Sequence, residues 1–273
     1  MQSLLPVGSS TAEELLEGLI EGTLLVKDTL AADGSFMIPY LLKLALRQQY
    51  KVIFVTVQES LAHWQTLLRK LGVNLASYLA SQQVAHISLL AADTPAWDTP
   101  AEPERLRQLY YQIIEVALPK ADGADLTEPL LLLFDNLSVL ACMQPESVLW
   151  TSFVYYCRTL GAHRQGSFCF AALAHEDIEA DWPWLHLLEH HSQLVVQIDG
   201  LESGQSADIT GRVEVMRRDV LDAMNPAYRD ADRTEQYPLL LSVDQQSAGP
   251  DRRWYCYKLG EQAVTVFRQP GPS

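Results

Sequence analysis

With 273 residues, 48% of them hydrophobic, the chain has enough apolar material for one large domain, or a main domain with an appendage, and is expected to fold as a globular unit. Its formal charge of −14 arises entirely before residue 211: residues 1–210 carry 11 Lys and Arg against 25 Asp and Glu, and residues 211–273 carry 9 against 9. An acidic surface repels a phosphate backbone, which excludes the chain by itself as an effective nucleic-acid binder and leaves any such contact to C-terminal basic residues or partner chains.

The N-terminal stretch MQSLLPVGSSTAEELLEG lacks the basic start and long apolar run of a secretory signal, and no uninterrupted apolar run of about eighteen residues follows. The expected location is the cytoplasm, with the nucleus as a further possibility. Thr11 and Glu14 have the spacing of a capping box, which predicts a short helix over ELLEGLI. TLLV is the first predicted strand, DTLAADGS a turn, and FMIPYLLKLALRQQ a helix with Pro39 in its first turn, where the missing N–H has no intrahelical partner to lose. KVIFVTV reads as a strand covered on both faces, SLAHWQTLLRKLG as an amphipathic helix closed by Gly72, and VAHISLL as another strand.

AADTPAWDTPAEPE and KADGADLTEP are predicted loops on either side of a helix over 104–118. LLLLFDNLSVL is a very apolar strand ending at Asp135. SVLWTSFVYYCRTLGA is helical, SFCFAALAH a strand and DWPWLHLLEHH a short helix. This alternation predicts an α/β fold with a mainly parallel sheet flanked by helices. From about residue 192 the pattern changes to QLVVQIDGLE, ITGRVEVMRRD, YPLLLSV, RWYCYKLG and QAVTVFRQ, a C-terminal antiparallel meander extending the same sheet, with a polar segment at 225–236. The expected organisation is a single domain over 1–273: an N-terminal helical extension (1–21), an α/β core (22–191) and the meander (192–273). Cys142, Cys157, Cys169 and Cys256 form no Cys-x-x-Cys pair and are expected to be buried, reduced thiols.

The strand–turn–helix at residues 22–46 has the layout of a phosphate-binding loop. Such a loop needs glycines that aim backbone N–H groups at the phosphates, a lysine to offset their charge and a hydroxyl for magnesium. Aligned to residues 28–35, Asp28 and Asp33 take the glycine positions, Gly34 the lysine position and Ser35 the hydroxyl position. At about 6 Å and an effective dielectric near 20, each carboxylate–phosphate pair repels by about 3 kcal/mol. The turn is thus expected to be sterically intact and electrostatically hostile to a triphosphate. Asp135 stands where a strand-end carboxylate holds magnesium in such folds, and Glu59 follows the neighbouring strand; both positions equally suit turn formers or caps.

Other chemistries have weaker support. His186, Glu189 and His190 spell H-x-x-E-H, a zinc-peptidase pattern, on a helix that also reads as simply packed; no metal or cofactor is expected. No G-x-S-x-G elbow occurs, and no residue is assigned a catalytic role. His175 at a strand end is a sensor or a hydrogen-bonded terminal residue. Arg217, Arg218, Arg252 and Arg253 are the candidate phosphate contacts, with solvated edge charges as the alternative; Trp254, Tyr255 and Tyr257 alternate as base stackers would, or as one buried strand face would.

The succession DGSF, KVIFVTVQESLAHW, LLRKLGVNL, LLLLFDNLSVL, VYYCR, GLESGQSADITGRVEVMRR and YKLGEQAVTVFRQ resembles the sixth-subunit family of the Elongator complex, over residues 22–269. The resemblance implies a RecA-like fold without intact nucleotide-binding motifs. It also implies a hetero-hexameric ring with the fourth and fifth Elongator subunits, a ring associated with tRNA binding and with the catalytic subcomplex that modifies the wobble uridine. On that reading the chain is a noncatalytic scaffold, its emptied turn becomes part of a protein interface, and Phe36 and Met37 beside it serve either that interface or the domain's own core. The rivals are a divergent P-loop-type ATPase in a homomeric ring and a regulatory adaptor.

Overall fold

The computed structural model describes residues 9–11, 16, 22–90, 102–119, 126–143, 147–201, 206, 208–218, 251–260 and 264–269. Its strands are β1 (Ser9–Thr11), β2 (Gly22–Asp28), β3 (Lys51–Thr56), β4 (Val84–Ser88), β5 (Leu130–Phe134), β6 (Phe168–His175), β7 (Leu194–Asp199), β8 (Gly211–Arg217), β9 (Asp251–Leu259) and β10 (Val264–Gln269). They form one sheet in the order β1-β10-β9-β8-β7-β2-β6-β5-β3-β4. Pairing is parallel from β7 through β4 and antiparallel from β7 out to β1.

The helices are α1 (Met37–Arg47), α2 (Leu61–Lys70), α3 (Leu75–Ala80), α4 (Glu102–Ala117), α5 (Leu137–Cys142), α6 (Ser147–Thr159) and α7 (Trp182–His190). Successive strand residues point to opposite faces, so each parallel strand feeds two cores. Leu24, Val26, Phe54, Leu131 and Leu133 pack with Ile38, Leu41, Trp64 and Leu68 of α1 and α2. Leu25, Ile53, Leu132 and Phe134 pack with Leu109 and Ile113 of α4, Trp150 and Phe153 of α6, and Leu185 and Leu188 of α7. Two covered faces explain the uninterrupted apolar run of β5, every residue of which is buried. In β8, Gly211, Val213 and Val215 are buried while Arg212 and Glu214 are partly exposed, an alternation that holds until Met216, buried on the opposite face.

The meander docks on the start of α1: Phe36 stacks on Tyr257 at 5.0 Å, and Tyr40 Oη accepts from Val264 N at 2.8 Å. Phe36 and Met37 therefore belong to the chain's own core. Tyr257 is buried and Tyr255 packs against the same cluster, so this aromatic alternation is that of a packed strand face. Gly211 lets β8 enter here, because a Cβ at this position would lie 2.5 Å from Asp199 O and 2.7 Å from the Tyr257 ring. Gly211→Ala is expected to cost about 1–3 kcal/mol by overpacking, read from the urea unfolding midpoint.

Several elements differ from expectation. Thr11 ends an edge strand paired with Thr265, whereas Glu14 and most of the predicted N-terminal helix lie outside the described residues. So do residues 120–125, the segment 225–236, the predicted strand YPLLLSV and residues 91–101 of the loop expected over 91–104, whose last three residues belong instead to α4. Two six-residue helices, α3 and α5, have no signal in the sequence pattern, being too short for a helical period to register. Cys157, Cys169 and Cys256 are buried, but Cys142, at the end of α5, is exposed.

Candidate functional site: the strand-end turn

In a parallel α/β sheet, ligand sites form outside the carboxyl ends of the strands. Here β2, β3, β5 and β6 deliver Asp28, the Val57–Gln58–Glu59 link, Asp135 with Asn136, and His175 to that edge. After Asp28 the chain makes a tight turn in which Thr29 and Ala32 exchange backbone bonds of 3.0 and 3.4 Å. The Leu30 N–H donates to Asp177 Oδ2 at 2.7 Å, bracing the turn from outside.

Asp28, 1% exposed, points into the turn, where its Oδ2 accepts the Gly34 N–H at 2.7 Å. Asp33 accepts from Ser35 twice, from the backbone N–H and from the hydroxyl, both at 2.8 Å. A Cβ on Gly34 would lie 3.0 Å from Asp28 Cβ and 3.3 Å from both Leu173 and Ile198. The turn is therefore not the open cradle expected from the sequence. Side chains fill it, and its own carboxylate takes a backbone donor that a phosphate oxygen would use.

The same carboxylate starts a chain of contacts across the strand ends. Asp28 Oδ1 lies 2.5 Å from His175 Nδ1, and His175 Nε2 lies 2.7 Å from Asn136 Nδ2, which also donates to Gln58 Oε1 at 2.7 Å. Asn136 caps α5 by accepting the Val139 N–H at 3.0 Å, which fixes its amide orientation. Its Nδ2 must then donate to His175 Nε2, so the ring joins this chain as the neutral tautomer with its proton on Nδ1, facing Asp28. A second proton exchanges the Asn136 bond for a charged pair. The hydrogen bond to Asp28 raises the His175 pKa, with burial opposing it.

Asp135 directs both oxygens at the β3–α2 link. It accepts from Val57 N at 2.8 Å and from Gln58 N and Glu59 N at 3.3 Å. Burial pushes its pKa up to about 6 against these donors. The folded form holds its proton more tightly than the unfolded chain, so the Asp135 contribution is fully present below about pH 3.8 and lost as pH rises through about 6. Asp135→Asn is expected to flatten the slope of unfolding free energy against pH in this window, measured by urea titration. Glu59 is half exposed and faces His63 at 3.6 Å, not the turn.

The remaining predicted residues are dispersed. Arg218 donates to the carbonyls of Glu189 and Ser192, Arg252 pairs with Glu214 at 3.0 Å, and Arg253 pairs with Asp251 at 2.8 Å. Arg217 is exposed at the end of β8. Adjacent residues of a strand point to opposite faces, so Arg252 and Arg253 do not share one surface. In the H-x-x-E-H segment, His186 stacks on Trp182 and Glu189 binds Lys27 at 3.0 Å. Sequence reasoning missed Lys27, a buried cation held by Glu176 and Glu189, although a lysine inside LLVKD is itself the signal of a buried charge requiring partners. It also missed Gln58 and Asn136, the latter visible as an N-cap before LSVLA.

Comparison with known proteins follows the same lines. The family model described as Elongation complex protein 6 matches residues 3–238. The Elongator complex protein 6 of Xenopus laevis is 30% identical over 200 residues, covering 68% of this chain and 75% of that protein. The human protein of the same name is 29% identical over 226 residues, covering 76% and 83%. Among solved structures, an uncharacterised Pyrococcus horikoshii protein in complex with an unknown peptide aligns with a TM-score of 0.60 at 12% identity, covering 94% of this chain and 98% of that one. A KaiC-like protein of the same organism aligns with a TM-score of 0.53 at 14% identity, covering 96% and 100%. The fold is RecA-like, and the chain belongs to the Elongator complex protein 6 family.

Proposed function

We propose that the chain is a noncatalytic subunit of a hetero-hexameric RecA-like ring, assembled with the fourth and fifth Elongator subunits, that supports tRNA binding and wobble-uridine modification by the catalytic subcomplex. It acts there as one structural unit, in the cytoplasm and also in the nucleus. Family membership supports the place in the complex, and one observation carries the noncatalytic part. Asp28 is buried inside the turn and bonded to Gly34 N, so a triphosphate would have to displace a carboxylate with which it repels. The magnesium-side groups are likewise engaged, Ser35 by Asp33 and Asp135 by three backbone N–H groups. The acidic chain supplies little of a nucleic-acid surface by itself, so tRNA contacts are a property of the assembled ring.

Mass measurement of the chain reconstituted with the fourth and fifth subunits tests this reading. Two copies of each chain in one particle is the expected result. A chain that stays monomeric in their presence overturns it.

A further inference from the structure

The outer face of the helix layer formed by α4, α6 and α7 carries large side chains that its own packing does not use. Between α4 and α6 runs a groove of about 370 Å³, walled by Leu106, Tyr110 and Tyr111 on one side and by Leu149, Phe153 and Tyr156 on the other. The crest of α6 beside it is apolar too: Val148 keeps 76% of its surface exposed, Tyr155 48% and Tyr156 54%. Exposed aromatic and aliphatic groups gathered in this way mark an interaction surface, and tyrosine is among the residues enriched at interfaces.

Arg158 adds an independent observation. Tyr156 and Arg158 project about 200° apart around α6, so the arginine lies on the flank toward α7, across the helix from the groove. Its guanidinium carbon sits 5.8 Å from the Tyr155 ring centroid, and it makes no ion pair or hydrogen bond among the described residues. Burial lowers its pKa, opposed only by Tyr155. His191, just after α7, is held down by burial, by Arg158 and by His190, whose ring lies 5.3 Å away. No carboxylate, Glu115 of α4 included, acts on Arg158 or His191. The other charges nearby are engaged: Arg218 on the carbonyls of Glu189 and Ser192, the Glu189 carboxylate on Lys27, and Arg107 at the groove on Glu104 at 3.3 Å. On a chain of net charge −14, a half-buried arginine without an acid is a place kept for a carboxylate from elsewhere.

We propose that the α4–α6–α7 face docks a segment of another protein chain that sets an apolar side chain in the groove and a carboxylate on Arg158. The two anchors are separated by the width of α6, about 10 Å, which three steps of extended chain span. A nucleic acid fits less well, because one arginine and two weakly basic rings cannot offset a run of phosphates on an acidic chain.

The test is an NMR titration of the full-length chain, observing the tyrosine rings, with acetyl-Trp-Gly-Gly-Glu-amide, its lysine counterpart acetyl-Trp-Gly-Gly-Lys-amide and the anchorless acetyl-Gly-Gly-Gly-Glu-amide. Saturable shifts of the Tyr111 and Tyr156 rings are expected with the acidic tryptophan peptide, about threefold tighter than with the lysine peptide and absent with the anchorless one. Tyr156→Ala should weaken both tryptophan peptides about tenfold, whereas Arg158→Gln should leave the two binding equally. Equal affinities on the native chain, or shifts that survive Tyr156→Ala, overturn the site. Decauridylate moving the same rings at a lower concentration than the acidic peptide gives the face to nucleic acid, and a dimer in the ultracentrifuge that Tyr156→Ala abolishes gives it to a second copy; either overturns the proposed occupant. Every arm uses the isolated chain, so the result is separable from the subunit reading, which stands or falls by the mass of the reconstituted particle.

Discussion

Asp28→Ala is expected to destabilise the chain by about 3 kcal/mol, measured as a drop in the urea unfolding midpoint. Removing one partner of a buried charged contact is costly chiefly because of what it leaves behind. Here that is the Gly34 N–H, bonded at 2.7 Å in the native turn, and the Nδ1 side of His175, 2.5 Å from the lost carboxylate. Asp28→Asn keeps a carbonyl oxygen for one of these two groups, so it should cost about 1 kcal/mol. If Asp28 were merely a solvated residue after a strand, alanine and asparagine would both fall within about 0.5 kcal/mol of the native chain. The expected order, alanine well below asparagine, identifies the side chain as the internal occupant of the turn.

Replacing Glu176 and Glu189 together by glutamine should cost a similar amount, again about 3 kcal/mol, because it strands the Lys27 ammonium in a site only 6% exposed. Burial lowers the Lys27 pKa, but the hydrogen bonds and charges of Glu176 and Glu189 outweigh it and hold the pKa above 10.5. Without them the desolvation remains and the compensation is gone. Adding Lys27→Met to the double variant should recover most of the loss, since a buried ion pair is often no better for stability than apolar groups of similar volume. Circular dichroism melts of the three chains check the sequence of loss and recovery. A double variant as stable as the native chain would mean that the lysine head reaches water without its partners.

How much of this is legible in the sequence varies by element. The core strands read directly, since LLLLF and KVIFVT are short, apolar and, in the second case, β-branched, as strands covered on both faces are, and GRVEV alternates as a strand with one packed face does, although Met216 is buried on the other side. The change from parallel to antiparallel pairing falls between β7, still parallel to β2, and β8, and follows from the loss of intervening helices. The edge strand β1 does not read, because three residues of Ser and Thr carry no period and only the pairing with β10 defines them.

At the site, Asp28 and Asp135 are recognisable as strand-end carboxylates, but their roles are not. His175 lies 147 positions from Asp28 and meets it only because β6 runs beside β2. Glu176 and Glu189 lie 149 and 162 positions from Lys27. Residue types announce that such groups need partners, and the sheet order decides which. The sequence also reads the turn as an open shape with hostile charge. The closeness of Leu173 and Ile198 to Gly34, which fills that shape, depends on β6 and β7 and has no local signal.

The account depends on a turn whose own carboxylate stands where a phosphate oxygen would bind. Its most direct test is a calorimetric titration of the isolated full-length chain with magnesium ATP. The account predicts no saturable heat at any concentration up to about 1 mM, corresponding to less than about 4 kcal/mol of binding free energy. A dissociation constant in the micromolar range, abolished by Ser35→Ala or Asp135→Ala, would contradict it.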